Sequence, residues 1–349
     1  MGQEERQEKM EYRGYKYKPR GCTGGWEVIG DRPVLGPGLG TVNDPFVIRE
    51  EGRYKMWFSW RKGRVIAYTE SRDGLVWDNV QVVLTAVTGS DWEGHEVCRP
   101  TVLKTDGMYY MWYTGMMFPT EINTARSCIG FATSTDGIVW ERRKDPVLVP
   151  EAGWEQIAVC QPHVLREEDG LFRMWYAAGR QHEPDAVGTA VSRDGIRWEK
   201  CPENPVFGPD PEHYWEMGKV SSPFIMKADG WYYLFYQGMD GDLIAGEGLA
   251  RSRDGIHNWQ RHPSNPISAG KDGNWDWLGT RKVSLVREQD GYRMWYTGGM
   301  REGQAIGVAV HPGFDLGFPG EGETGEDERG FGKGLGSVNY YYRDNIARY

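Results

Sequence analysis

Five positions in this chain carry chemically different side chains in an otherwise repeated setting: Asp44, Arg99, Gln161, Ser222 and Lys282. The first four stand directly before a proline that opens a short apolar run, as in Asp44-Pro45-Phe46-Val47, and Lys282 stands before Val283-Ser284-Leu285. A carboxylate, a guanidinium, an amide, a hydroxyl and an ammonium gathered at one place make a polar pocket. Such a pocket can hold a hydroxyl-rich ligand and move protons on it. The connections Gly36–Asp44, Thr88–Arg99, Pro150–Gln161, Gly208–Ser222 and Ala269–Lys282 lead into these positions and add Glu96, Trp215, Glu216, Lys219 and Arg281. His163 follows Pro162, and Glu183 sits in Gln181-His182-Glu183-Pro184-Asp185. Tryptophans at the rim offer flat faces on which a sugar ring stacks. Glu216, between Trp215 and Met217, is expected in an apolar wall that raises its pKa, as a general acid needs, with His163 the second candidate. Glu96, near Arg99, suits a base better than an acid.

The elements that must position these groups repeat. Ser-x-Asp-Gly followed by Trp occurs at Ser71–Trp77, Ser134–Trp140, Ser192–Trp198 and Ser252–Trp259, a period of roughly sixty residues that marks a repeat architecture. An aromatic strand recurs five times, at Tyr54–Ser59, Tyr109–Gly115, Phe172–Ala177, Tyr232–Gly238 and Tyr292–Gly298. An acidic-Gly or equivalent tight turn precedes each one, a hairpin signal. Proline is tolerated at the first residue of the preceding strand because no ladder donor is lost there. Four antiparallel strands per unit and five units predict an all-β, five-bladed β-propeller over residues 1–312. The N-terminal segment Trp26–Gly36 is expected to supply the missing fourth strand of the last blade and close the ring. Residues 313–349, rich in Gly and charge, read as a tail or flap. The Ser-x-Asp-Gly turns belong on the face opposite the long connections, where Ser and Asp side chains hold local backbone.

A net charge of −9 over 349 residues argues against nucleic acid or an anionic membrane as partner. No apolar run is long enough to span a bilayer. The odd number of scattered cysteines, five in all, reads as reduced thiols in a cytoplasmic protein. No spacing resembles a metal-ligand set, and no cofactor is implied.

At Val42-Asn43-Asp44-Pro45 the sequence resembles the glycoside hydrolase superfamily of five-bladed propellers, families 32, 43, 62, 68, 117 and 130 among them. The resemblance extends over the blade pattern of nearly the whole chain. It implies cleavage of a small glycoside in the central funnel, with Asp44 as nucleophile or general base. The family pattern places an Asp in the second blade and a Glu in the third; here Arg99 and Gln161 stand at those places. Arg99, Gln161 and Lys282 are then substrate contacts. Lys219 and Arg281 approach the same funnel, and the basic groups leave room for a phosphorylase. A carbohydrate-binding propeller without catalysis is the reading from another class, and a protein-interaction scaffold ranks below it.

Overall fold

The structure, a computed structural model, describes residues 21–118, 125–151, 153–179, 184–239, 245–270, 274–276, 279–299 and 303–319. Two short strands, β1 (Gly21–Cys22) and β2 (Glu27–Val28), come first. Strands β3 (Val42–Glu50), β4 (Arg53–Trp60), β5 (Val65–Ser71) and β6 (Asp78–Leu84) form an antiparallel sheet in chain order. The next group is β7 (Glu96–Thr105), β8 (Met108–Met117), β9 (Arg126–Ser134) and β10 (Glu141–Arg142), followed by β11 (Ala158–Arg166), β12 (Phe172–Gly179), β13 (Ala186–Ser192) and β14 (Glu199–Lys200). A single parallel bridge, Ala158 to Ser127, joins those two groups. Then come β15 (Lys219–Ala228), β16 (Trp231–Met239) and β17 (Ala245–Ser252), bordered by β18 (Gln260–Arg261), β19 (Ser268–Ala269) and β1. Last are β20 (Thr280–Arg287), β21 (Gly291–Gly298) and β22 (Ala305–Pro312), with β2 pairing to β22 at Glu27–Val310 and Val28–Ala309. The described residues are all-β apart from one turn of 3-10 helix at Tyr214–Glu216.

The first strands touch in succession: β3 with β7, β7 with β11, β11 with β15, β15 with β20, and β20 with β3. Each middle strand is therefore covered on both faces. In β4, burial alternates over Arg53–Met56 and becomes continuous from Met56 to Ser59. The aromatic composition of these strands follows, since large rings fill the wedge between sheets.

Every Ser-x-Asp-Gly turn is built alike. The Ser Oγ accepts from the glycine amide at 2.8–3.1 Å, and the Asp Oδ1 accepts the two amides that follow the glycine at 2.8–2.9 Å. The glycines lie at φ 74–81°, a region open to them without a Cβ penalty. Their carbonyls then accept an indole N–H from the middle strand of the adjacent sheet. Trp57 reaches Gly137 at 2.9 Å, Trp112 reaches Gly195 at 2.8 Å, Trp175 reaches Gly255 at 2.9 Å, and Trp295 reaches Gly74 at 2.9 Å. The remaining seam differs. Phe235 of β16 stands in the tryptophan's place and has no N–H, while Trp26 packs edge-on against Phe235 (6.0 Å) and against His311 (5.3 Å).

Past β22 the chain crosses to the neighbouring sheet. Phe318 packs on His262 and Tyr233, and the Pro319 carbonyl accepts from Arg251. Residues 320–349 of the expected tail lie outside the described residues. None of the five cysteines is in a disulfide, and no helix among the described residues is long and apolar enough to cross a membrane.

Candidate active site

Asp44, Arg99, Gln161, Ser222 and Lys282 converge on one cleft, together with Phe46, Thr101, His163 and Phe224 one step further along the same strands. The space they enclose is about 370 Å³, including the part open to solvent. All five have positive φ, between 53° and 56°, although none is glycine. In every case the pairing of the first strand with the second shifts register at this residue. These are β-bulges, which re-aim a side chain and bend the strand.

A non-glycine residue in this conformation is strained by about 1–2 kcal/mol, and the neighbouring sheet holds each one there. The Asp44 amide donates to Thr297 Oγ1 (3.0 Å), Arg99 to Ser59 Oγ (2.8 Å) and Gln161 to Thr114 Oγ1 (3.0 Å). The equivalent of these hydroxyl residues for Ser222 is Ala177, which has no oxygen on its side chain, and the Ser222 amide donates to Gln161 Oε1 at 2.9 Å instead. The Lys282 amide faces the carboxyl of Glu247. Glu247 is fully buried, and burial raises its pKa well above the usual carboxylate range. It occupies the register of aliphatic residues in the other sheets, opposite Gln237, and sequence reasoning passed over it.

Asp44 is 7% exposed and its carboxylate is surrounded by cations. Lys282 Nζ is 3.0 Å from Oδ1, and Arg61 Nη2 is 3.7 Å from Oδ2. Burial alone would favour the neutral acid. Lys282, Arg61 and Arg99, with a hydrogen bond from the Ser59 hydroxyl, outweigh it and hold the carboxyl far below its ordinary range. Asp44 is thus an ionised carboxylate, suited to act as base or nucleophile and unsuited to donate a proton. Arg61, in the turn between β4 and β5, was not among the sequence candidates. It also pairs with Glu96, placing the Glu96 carboxylate beside Asp44's counter-ion.

Glu216, expected as the general acid, is not part of the cleft. It is fully buried, accepts from Arg261 Nε at 2.9 Å and bonds Tyr236. Burial does raise its pKa, but the arrangement is a repeated clasp. In Trp92-Glu93, Trp154-Glu155 and Trp275-Asp276 the acid likewise accepts from a middle-strand tyrosine, Tyr113 (2.7 Å), Tyr176 (2.6 Å) or Tyr296 (3.1 Å). Arg142 and Lys200 pair with Glu93 and Glu155 as Arg261 pairs with Glu216. The tryptophan before each acid lies over that tyrosine at 5.7–6.1 Å between ring centroids. Trp215 is therefore packing and not a sugar platform, as are Trp92, Trp154 and Trp275. The glycines beneath are obligatory, since a Cβ at Gly248 would lie 2.5 Å from both Trp215 and Tyr236.

The other candidates divide. Lys219 pairs with Asp185 at 3.0 Å, and Arg281 donates to the Gly299 carbonyl at 3.0 Å; neither lines the cleft. His163 does line it, but its ring is wedged against Phe224 (4.4 Å) and Phe46 (6.0 Å). Burial pushes its pKa down to about 3, so it is neutral near pH 7 and carries no spare proton for a leaving group. Glu183 lies outside the described residues. Among those residues no group of three or more His, Cys, Asp or Glu is placed to hold a metal.

The first strands of these all-β sheets thus present one carboxylate amid cations in a shared cleft. Residues 32–305 match the family of Glycosyl hydrolases family 43, and the chain belongs to it. An uncharacterized protein of Mycobacterium tuberculosis is 29% identical over 153 residues, 43% of this chain and 49% of its own. A β-1,2-mannobiose phosphorylase of Thermoanaerobacter sp. is 30% identical over 133 residues, 34% of this chain and 43% of the enzyme. The chain thus spans about half the length of the curated relatives it matches. Among solved structures, one described as a glycoside hydrolase superposes with a TM-score of 0.66 at 21% identity, covering 93% of this chain and all of that one. At that identity the likeness is one of fold.

Proposed function

We propose that the protein cleaves the glycosidic bond of a small glycoside or oligosaccharide in the cleft between the bulges. Asp44 would serve as the carboxylate that attacks the anomeric carbon or activates the attacking water. The observation that carries this is the position and charge state of Asp44: buried, ionised, on a bulge at the mouth of the cleft, with Lys282 at 3.0 Å. Hydrolysis by the two-carboxylate route also needs a protonated acid.

A second reading, phosphorolysis, is favoured by a specific feature. Among the described residues lining the cleft Asp44 is the sole acid, whereas Arg99 and Lys282 line it too and Arg61 flanks it. Cations so placed suit an inorganic phosphate that would take the place of activated water. The likeness to a mannobiose phosphorylase supports it. The architecture belongs to the same proposal: one five-bladed domain over residues 1–312, its last blade completed by β2 and the ring closed there. The β2–β22 pairing and the succession of contacts between first strands support it. A cytoplasmic location is proposed on the five cysteines, which form no disulfide.

The test is release of nitrophenol from aryl arabinofuranoside, fructofuranoside, xyloside, mannoside and galactoside, with and without phosphate, beside Asp44→Asn. Loss of about 10²–10⁴ in kcat is expected for the variant, with its melting temperature close to wild type. Phosphate-independent release establishes a hydrolase and phosphate-dependent release a phosphorylase. Full activity in Asp44→Asn removes that carboxylate from the mechanism, and sugar binding without any turnover makes the protein a binder.

A further inference from the structure

Four uncharged polar atoms in the cleft wall have no hydrogen-bond partner among the described residues: Gln161 Nε2, Ser222 Oγ, His163 Nε2 and, on β7, Thr101 Oγ1. Their residues are all more than nine-tenths buried, and all line the same cleft. Buried polar atoms are nearly always satisfied, so these orphans, three of them on the adjacent strands β11 and β15, mark where a ligand completes the set.

Their donor and acceptor roles are fixed by what lies behind them. Gln161 Oε1 is committed to the Ser222 amide, because Ala177 lacks the hydroxyl that caps the equivalent amides elsewhere. The Gln161 NH₂ is therefore the half of the amide left to donate. His163 donates one ring N–H to the Ile225 carbonyl, and as a neutral imidazole it keeps a lone pair on Nε2. Ser222 Oγ either donates or accepts. A donor, an acceptor and a hydroxyl side by side match the hydroxyls of a sugar, each of which both gives and takes a hydrogen bond.

We propose that Gln161, Ser222 and His163 form an uncharged subsite for adjacent hydroxyls of the sugar ring. Asp44, Arg99 and Lys282, on the consecutive strands β3, β7 and β20, are left to the reacting bond and to any anion. The assignment rests on the glycoside-cleaving reading above.

The experiment is calorimetric titration of Asp44→Asn protein with arabinose, xylose, fructose, mannose and galactose, and separately with inorganic phosphate. It is repeated after adding Ser222→Ala or Gln161→Glu. Ser222→Ala leaves the capped backbone amide in place. Gln161→Glu keeps an oxygen for that amide and turns the cleft-facing donor into an acceptor. Each variant is expected to weaken the best-bound sugar about tenfold to a hundredfold, and Ser222→Ala, which adds no charge, to change phosphate affinity less than threefold. Sugar affinity unchanged in both folded variants overturns the subsite while the glycoside reading stands. Selective loss of phosphate affinity in Ser222→Ala overturns it in favour of an anion site. If no sugar binds the parent and no aryl glycoside is cleaved by the wild type, the glycoside reading fails first and the subsite with it.

Discussion

The outer turns and the inner bulges repeat equally faithfully in backbone, yet they treat side chains in opposite ways. At the turns Ser, Asp and Gly recur because their atoms make the conformation: Ser Oγ and Asp Oδ1 cap local amides, and glycine supplies the positive φ. At the bulges the positive φ is held from outside, chiefly by an acceptor on the neighbouring sheet. The residue's own side chain then takes no part in holding its backbone and is free to specialise. The specialised positions are those whose own backbone asks nothing of their side chains.

The contrast is sharpest for Gly195→Ala. A Cβ there would sit at φ 74° and 2.9 Å from Trp112 Cζ2, so a loss of roughly 2–4 kcal/mol is expected. Turnover per folded molecule should match wild type, the reverse of Asp44→Asn. Denaturant melts paired with active-site titration check it, and an undiminished midpoint would break the distinction between the two regions.

His163 tests whether the floor of the cleft belongs with the specialised positions or the structural ones. Its pKa is about 3 when folded against about 6.5 in an unfolded chain, so the unfolded state binds the extra proton between those values. Stability is complete above about pH 6.5 and falls as pH drops toward 3. At pH 4 the deficit is on the order of 3 kcal/mol. His163→Phe, which would extend the ring of Phe46 and Phe224, should flatten melting temperature between pH 6.5 and 4. An unchanged profile would assign the acid sensitivity elsewhere.

The smallest effect belongs to the clasp. Glu216→Gln keeps an acceptor for Arg261 and Tyr236, so about 1 kcal/mol is expected, with kcat/KM within threefold of wild type. A collapse of kcat at constant melting temperature would return Glu216 to the chemistry.

Strands, hairpins and the structural role of Ser-x-Asp-Gly were legible because each has a local signature in residue type. So was the specialised position before the strand-opening residue, since misfit among repeats is visible in sequence. The bulges were not: their positive φ falls on Asp, Arg, Gln, Ser and Lys and is imposed by hydroxyls some forty to two hundred and fifty residues away. Arg61 was missed for the same reason, since only the fold brings it to Asp44. Glu216 was misread although its signal was present. The dipeptide recurs as Trp92-Glu93, Trp154-Glu155 and Trp275-Asp276, and the repeat logic that explained the turns would have placed it among the clasps.

The seam without an indole bond has a geometric consequence. In the ring proposed above, near-copies must sum to one full rotation, and small angular errors in each copy accumulate around it. Four joints are keyed by a directional bond between Trp and Gly, which fixes their pitch. Where Phe235 meets Trp26 and His311, ring faces and edges fill that place, and the joint is tied instead by chain crossings, β1 on β19 and Arg251 on the Pro319 carbonyl. The relative settings of Asp44, Arg99 and Gln161 are thus keyed by indole bonds, and that of Lys282 to Ser222 by those crossings.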